Sequence, residues 1–326
     1  MNNRRKLVFS LGAGALVAPF ASFAQQPVLK SPRIGVLGLA NPVAYAPQVE
    51  ALRAGLRELG YAEGKNIVLE FRWADGHYDR LPALAAELVR LKVDVLVTHG
   101  AGSTAAKNAT TTIPIVTYVG DAVSLGLAAS LAEPGGNLTG SSFFGPEIGA
   151  KRLELIKETV AHAARVGAII NTAGTSVKKA LAAMQVTAQH LKLALQTREV
   201  RNPEELESAF KEMTRNHVDA VVVMDDPMLV ANFKTIAALA TKHKLPAIGF
   251  TGFAEAGGLM TSGVNLLELW HRHAYFVDKI LKGVRPGVIP IEQPTHFELV
   301  VNMKTAKALG IKIPQSLLVQ ATKVIE

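Results

Sequence analysis

Six short stretches hold the side chains able to do chemistry: Ala40-Asn41-Pro42, His99 to Thr104, Gly120-Asp121-Ala122, Asn171-Thr172-Ala173, Asp225-Asp226-Pro227 and Thr251-Gly252-Phe253. Each follows a β-type apolar run, and ligands of an open parallel sheet bind beyond the carboxyl ends of its strands. Gly100 lets backbone approach a ligand, and Ser103-Thr104 opens a helix whose free N–H groups favour an anion such as a carboxylate. Ser103 equally fits the cap of its own helix. Asp121 suits either a ligand ammonium or the cap of a helix starting near Ser124. Asp225-Asp226 has the form of an acid/base or metal pair, but adjacent residues rarely point the same way, and Asp226-Pro227 is an ordinary N-cap followed by Pro at N1. Contact of one of them with a ligand is the better reading. The expected ligand-binding set is therefore Asn41, Gly100, Ser103, Thr104, Asp121, Asn171, Thr172, Asp225 and Thr251. Tyr45, Phe143, Phe144, Phe250 and Phe253 fall near loop mouths, where they either stack on a ligand or belong to the core.

Reaction chemistry has no comparable signal. The chain has no Cys, which removes zinc-finger, thiol-nucleophile and disulfide-scaffold readings. It has no Gly-x-Ser-x-Gly elbow and no His-Glu-x-x-His; the glycine loop lacks the Gly-Lys-Ser/Thr of a Walker motif, and Gly35-Val36-Leu37-Gly38 is not a dinucleotide fingerprint. His271 and His273 lie two apart, on different sides of a helix, and read as surface residues. No catalytic residue, cofactor or metal is expected.

The elements that position these loops follow from hydrophobic period. Residues 34–39 are continuously apolar, as a strand buried on both faces should be. Helical spacing over 47–59, alternation over 66–73, a helix at 81–91, a strand at 93–98, a helix at 103–109 and a strand at 115–119 repeat the βαβ unit. Pro134-Gly135-Gly136-Asn137 interrupts it, and Leu138-Thr139-Gly140 reads as a short crossing segment. The alternation then restarts: helices at 148–160, 175–191, 203–214 and 228–243, strands at 165–171, 193–200, 220–224 and 247–250. A long helix over 266–281 and a strand over 297–302 close the chain. The expected fold class is α/β, two doubly wound parallel-sheet lobes with a ligand cleft between them. Residues 33–139 with 264–287 form one lobe and 140–263 with 288–326 the other, joined by three crossings that make a hinge.

Asn3-Arg4-Arg5-Lys6, an apolar run to Phe20 and Ser22-Phe23-Ala24 form an export signal cleaved after Ala24, compatible with the general secretory and the twin-arginine routes. The run is too short for a permanent membrane anchor, and no later stretch reaches 18 apolar residues, so no direct membrane insertion is expected. Setting aside the three basic residues of the signal lowers the formal charge from +8 to +5, too mild for a nucleic-acid partner. A periplasmic, diffusing monomer is expected.

Thr110-Thr111-Thr112-Ile113-Pro114-Ile115-Val116, Pro134 to Gly140, Gly257-Gly258-Leu259-Met260 and Phe297 to Gly310 resemble the solute-binding proteins of ABC-type importers, in the group that includes tryptophan- and tyrosine-binding members on the type I periplasmic-binding fold. The resemblance covers residues 33–326. It implies a receptor that takes a small-molecule ligand between its lobes, through positions matching Asn41, Gly100, Ser103, Asp121, Asn171 and Asp225, and delivers it to a membrane permease with a separate ATPase. The chain departs from the family pattern at Asp121-Ala122-Val123, where Asp-Pro-Val is usual, and at Thr261-Ser262-Gly263, where Ser-Tyr-Gly is usual. An amino acid or other carboxylate is the expected ligand. A sensor for a signalling partner and a secreted hydrolase using Asp225 or Asp226 are the alternatives; a repressor's effector domain would need a helix-turn-helix where this chain carries an export signal.

Overall fold

The computed structural model describes residues 31–143, 145–172 and 177–326. The expected export signal at 1–24, Phe144 and Ala173 lie outside them. Two sheets organise the chain. In the first, β1 (Arg33–Gly38), α1 (Ala46–Glu58), β2 (Val68–Trp73), α2 (Leu81–Arg90), β3 (Val95–His99), α3 (Ala101–Ala109), β4 (Ile115–Val119) and β5 (Leu138–Ser142) give a parallel sheet of order β2-β1-β3-β4-β5. Alternate residues serve opposite faces. Ile34, Val36, Val97 and Val116 belong to one buried cluster; Leu37, Leu96, Ile115 and Val119 belong to another, with residues of α2 and α3.

The second sheet follows from α4 (Gly145–Thr159), β6 (Arg165–Ile170), α5 (Val177–His190), β7 (Ala194–Glu199), α6 (Leu206–Arg215), β8 (Ala220–Val223), α7 (Pro227–Ala231), α8 (Phe233–Lys242), β9 (Ala247–Gly249) and β10 (Met260–Val264). After α9 (Leu266–Leu281) the chain adds β11 (Phe297–Asn302), α10 (Met303–Leu309), α11 (Gln315–Gln320) and β12 (Lys323–Ile325). The order is β12-β11-β10-β9-β8-β6-β7, parallel except where β10 meets β11. The fold is thus α/β with two doubly wound lobes.

Several elements differ from the sequence expectation. Leu138-Thr139-Gly140 is no bare crossing: it starts β5, which pairs with β4 through Ser142. The chain near Glu292 runs alongside β5, with Ser142 N–H donating to Glu292 O at 2.9 Å and Glu292 N–H to Gly140 O at 2.9 Å. The single helix expected over 228–243 is two, α7 and α8, divided at Asn232. β10 was not expected, because Thr261-Ser262-Gly263 breaks the apolar run; all five of its residues are nonetheless buried. His273 is a correction: it is fully buried, not at the surface. One face of α9 packs on α1 and on sheet one, and His273 lies on that face with Trp270, Ala274 and Val277. His271, on another face, pairs with Glu58 at 3.0 Å and stays partly exposed.

α9 reaches this position because Gly55 of α1 has no side chain. A Cβ at Gly55 would stand 2.6 Å from His271 O and 2.8 Å from Ala274 Cβ. In an isolated helix Gly→Ala gains about 1 kcal/mol. Here the helix pair must separate, so Gly55→Ala is expected to destabilise the protein by about 1–3 kcal/mol, read as a lower urea midpoint at unchanged m-value. A higher midpoint would mean that the α1/α9 contact is slack.

Candidate functional site

The last residue of β3 is His99, and its register partner on β4 is Tyr118. The two rings therefore stand side by side, with centroids 5.3 Å apart and planes within 11°. Tyr45, just before α1, also stacks on His99, at 4.9 Å and 19°. Tyr118 meets Phe143 at 6.2 Å, and Phe143, at the crossing after β5, stacks on Phe250 of the second lobe at 5.7 Å. This chain of rings runs from one lobe to the other and forms the wall of a cavity of about 80 Å³. One water needs roughly 10–15 Å³ on the same measure, so the space suits a small solute and excludes a polymer.

The facing wall comes from the loop after β8. Asp225 and Asp226 both line the cavity, as does Asn171 at the end of β6. Arg152 of α4 is fully buried behind Asp225 and pairs with it at 2.5 Å. Its guanidinium also donates to Ser262 O at 2.9 and 2.7 Å and to Val223 O at 3.2 Å, and lies 5.4 Å from the Phe250 ring centre. Asp226 caps α7, its Oδ1 accepting from the N–H groups of Met228 at 2.9 Å and Leu229 at 3.2 Å. Asn171 Nδ2 donates to the same oxygen at 3.4 Å. The Tyr78 hydroxyl donates to Asp226 Oδ2 and so joins the lobes across the cleft. Burial pushes both carboxyl groups upward, and Arg152 opposes this at Asp225 as Tyr78 does at Asp226.

The sequence-derived residues separate accordingly. Gly100, Asn171 and Asp225 line the cavity. Gly100, just after β3, has φ +52°, a conformation that favours glycine; a Cβ there would make only an ordinary contact, 3.8 Å from Pro227 Cγ. Asn41 stands in a neighbouring recess of about 320 Å³ at the cleft mouth, where its Oδ1 accepts from Ala44 N–H at 2.9 Å. Ser103 is buried against β4, 2.5 Å from Thr117 Oγ1, and Thr104 beside it is half-buried and outside the cavity wall. Asp121 accepts from Ser124 N–H at 2.9 Å, closing its own turn. Thr172 donates to Glu199, and Thr251 to Val264 O beside the second crossing. Of the aromatics, Tyr45, Phe143 and Phe250 line the cavity, whereas Phe253 is buried against Phe233. Among the described residues no group of three His, Asp or Glu side chains has the arrangement of a metal site.

Sequence reasoning missed Arg152, Tyr118, Tyr78 and Trp270. Only Arg152 had a signal: Ile148, Arg152, Leu155 and Ile156 share one helix face, and a charge within an apolar stripe needs a buried partner.

Two predictions test this geometry. Burial lowers His99 and His273 to about 3, whereas an unfolded His titrates near ~6.5. Both rings are neutral when folded, so their contribution to stability is complete above about pH 6.5 and is lost as pH falls toward ~3, with a combined slope approaching about 2.7 kcal/mol per pH unit. Urea unfolding from pH 7 to 4 should show this descent, and His273→Phe should make it shallower. Tyr78→Phe removes the bond across the cleft, and small-angle scattering should show a larger radius of gyration in the variant.

Residues 33–325 match the family described as ABC transporter substrate binding protein. A tyrosine-binding protein of Clostridioides difficile (strain R20291) is 27% identical over 286 residues, covering 87% of this chain and 82% of that one. A conserved domain protein from Vibrio cholerae superimposes with TM-score 0.84 at 27% identity, covering 90% of this chain and all of that one. The ABC domain of a Streptococcus pneumoniae protein in complex with L-Trp does so with TM-score 0.83 at 26% identity and the same coverage. With its two doubly wound lobes and the cavity between them, the chain belongs to the family of ABC transporter substrate-binding proteins.

Proposed function

We propose that this protein captures a small polar solute, an amino acid or related metabolite, between its lobes and delivers it to a membrane permease driven by a separate ATPase. The observation that carries this reading is the inter-lobe cavity, with aromatic rings contributed by both lobes and a carboxylate, Asp225, at one wall. Relatives that bind tyrosine or hold L-Trp support an amino acid as the ligand class. The binding set is Gly100, Asn171 and Asp225 at the cavity, with Asn41 at the mouth. Export by residues 1–24 would place the mature chain, from Gln25, in the periplasm, where it works without a cofactor and without chemical turnover.

Binding and motion are one process on this reading. A solute touching both lobes favours the closed state by the difference between its affinities for the two states, and the closed form is what the permease recognises.

Thermal-shift screening of the mature protein tests it. A solute at 100 times its Kd adds about 2.7 kcal/mol to stability and so raises the melting temperature. A hit among amino acids, recovered chemically unchanged after incubation and weakened tenfold or more by Asp225→Asn, is the expected result. Conversion of the ligand during incubation would favour the hydrolase, and no hit among amino acids would remove that class.

A further inference from the structure

The charges around the cavity are unbalanced. Asp225 and Asp226 both line it, and among the described residues no Lys or Arg does. Residues 144 and 173–176 are Phe, Ala, Gly, Thr and Ser and carry no charged side chain. Arg152, the cation behind Asp225, is fully buried and committed: its guanidinium serves Asp225, Ser262 O and Val223 O. It cannot turn to a ligand without leaving two carbonyls and a carboxylate unpaired. Asp225, by contrast, keeps 16% of its side chain exposed. An anion entering here would meet two carboxylates and no free side-chain cation, at a cost that rises as closure removes water.

A cation meets the opposite conditions. Tyr45, Tyr118, Phe143 and Phe250 line the cavity and carry no positive charge, so the aromatic wall does not oppose an ammonium group drawn to the carboxylates. His99, stacked with Tyr45 and Tyr118 and buried, is neutral at physiological pH and adds no positive charge. We propose that the solute is an organic cation: an amine whose positive charge is required for binding and for which a carboxylate is dispensable. An amino acid satisfies the requirement through its ammonium group, and its deaminated acid does not. The proposal rests on the cavity being the solute site, and it sharpens the ligand class from amino acids and carboxylates to amines.

Matched triads on the mature wild-type protein test it by calorimetry and thermal shift: L-tyrosine, tyramine and 3-(4-hydroxyphenyl)propionate; L-tryptophan, tryptamine and indole-3-propionate; L-leucine, isopentylamine and 4-methylpentanoate. The expected result is a triad in which the amine binds within about tenfold of the amino acid and the acid is at least 100-fold weaker. An acid that binds as tightly as its amino acid overturns the proposal. So does a neutral or anionic solute, from a wider panel of sugars and carboxylates, that binds when no amine or amino acid does; that outcome leaves solute capture standing. Binding of nothing at all counts against both. Asp225→Asn leaves Arg152 without its charge partner and risks misfolding, so Arg152→Met/Asp225→Asn, which removes both charges, accompanies it. If either variant keeps the native circular dichroism spectrum, it should lose the preference for amine over acid; an unchanged preference would exclude Asp225 as the group that reads the charge.

Discussion

One buried cation ties the second lobe together. Arg152 rises from α4, the helix that follows the first crossing, and donates to Ser262 O on β10, the strand that precedes the second. It also holds Val223 O at the end of β8 and, just beyond it, the cavity carboxylate of Asp225. Removing a buried ion from water costs several kcal/mol, and truncating one partner of such a pair costs about 3–5 kcal/mol because the other is left uncompensated. The pair therefore contributes arrangement more than net stability. While Arg152 keeps all its partners, the helix after the first crossing, the strand before the second and the carboxylate at the cavity move as one body.

The first lobe solves a related problem without charge. Its side of the cavity is a stack of rings supported from behind by α9, whose fully buried Trp270 sits edge-on to Tyr45 at 5.9 Å and to Tyr118 at 6.3 Å. His273, one turn further along, stacks on Tyr118 at 5.7 Å. Because α9 begins immediately after the second crossing and packs on α1, the wall and that crossing share a helix. Gly55 sets how closely that helix approaches. The two walls thus differ in kind, one rigid through packing and neutral, the other rigid through hydrogen bonds and charged, and on the proposed function a solute spanning them would be read for both an apolar body and a charge.

Much of the fold was legible because strands buried on both faces are continuous in sequence: residues 34–39 and 220–224 declare themselves by composition alone. β10 did not, since its burial comes from its neighbours β9 and β11 and not from its own side chains. The site was legible at the level of loops and less so at the level of side chains. Ser103 and Asp121 have the right types at the right strand ends, but a hydroxyl or carboxylate beside a helix start satisfies the local backbone or the nearest strand before it reaches a ligand. Gly100, Asn171 and Asp225 line the cavity because they occupy the first position or two after a strand, where direction is set by the sheet. Tyr118 was missed because it lies within a strand, and only its pairing with His99 reveals which way it faces.

If the lobes close on a solute as proposed, the bond from Tyr78 to Asp226 changes how that closure responds to it. It joins the lobes through the protein's own atoms, so part of the free energy of closing is independent of any ligand. A hydrogen bond to a charged group contributes about 1.5–3 kcal/mol, enough to raise the ratio of closed to open molecules by roughly 10- to 150-fold relative to a protein lacking it. Affinity rises with that ratio only until the closed state predominates; beyond that point further closure adds nothing to capture and slows entry. Asp226 is suited to stand at this balance, because its other oxygen caps α7 and accepts from Asn171. The carboxylate that bonds across the cleft is thereby fixed to the cavity wall beside Asp225, so that on the proposed function closure and recognition would be set by neighbouring residues of one loop.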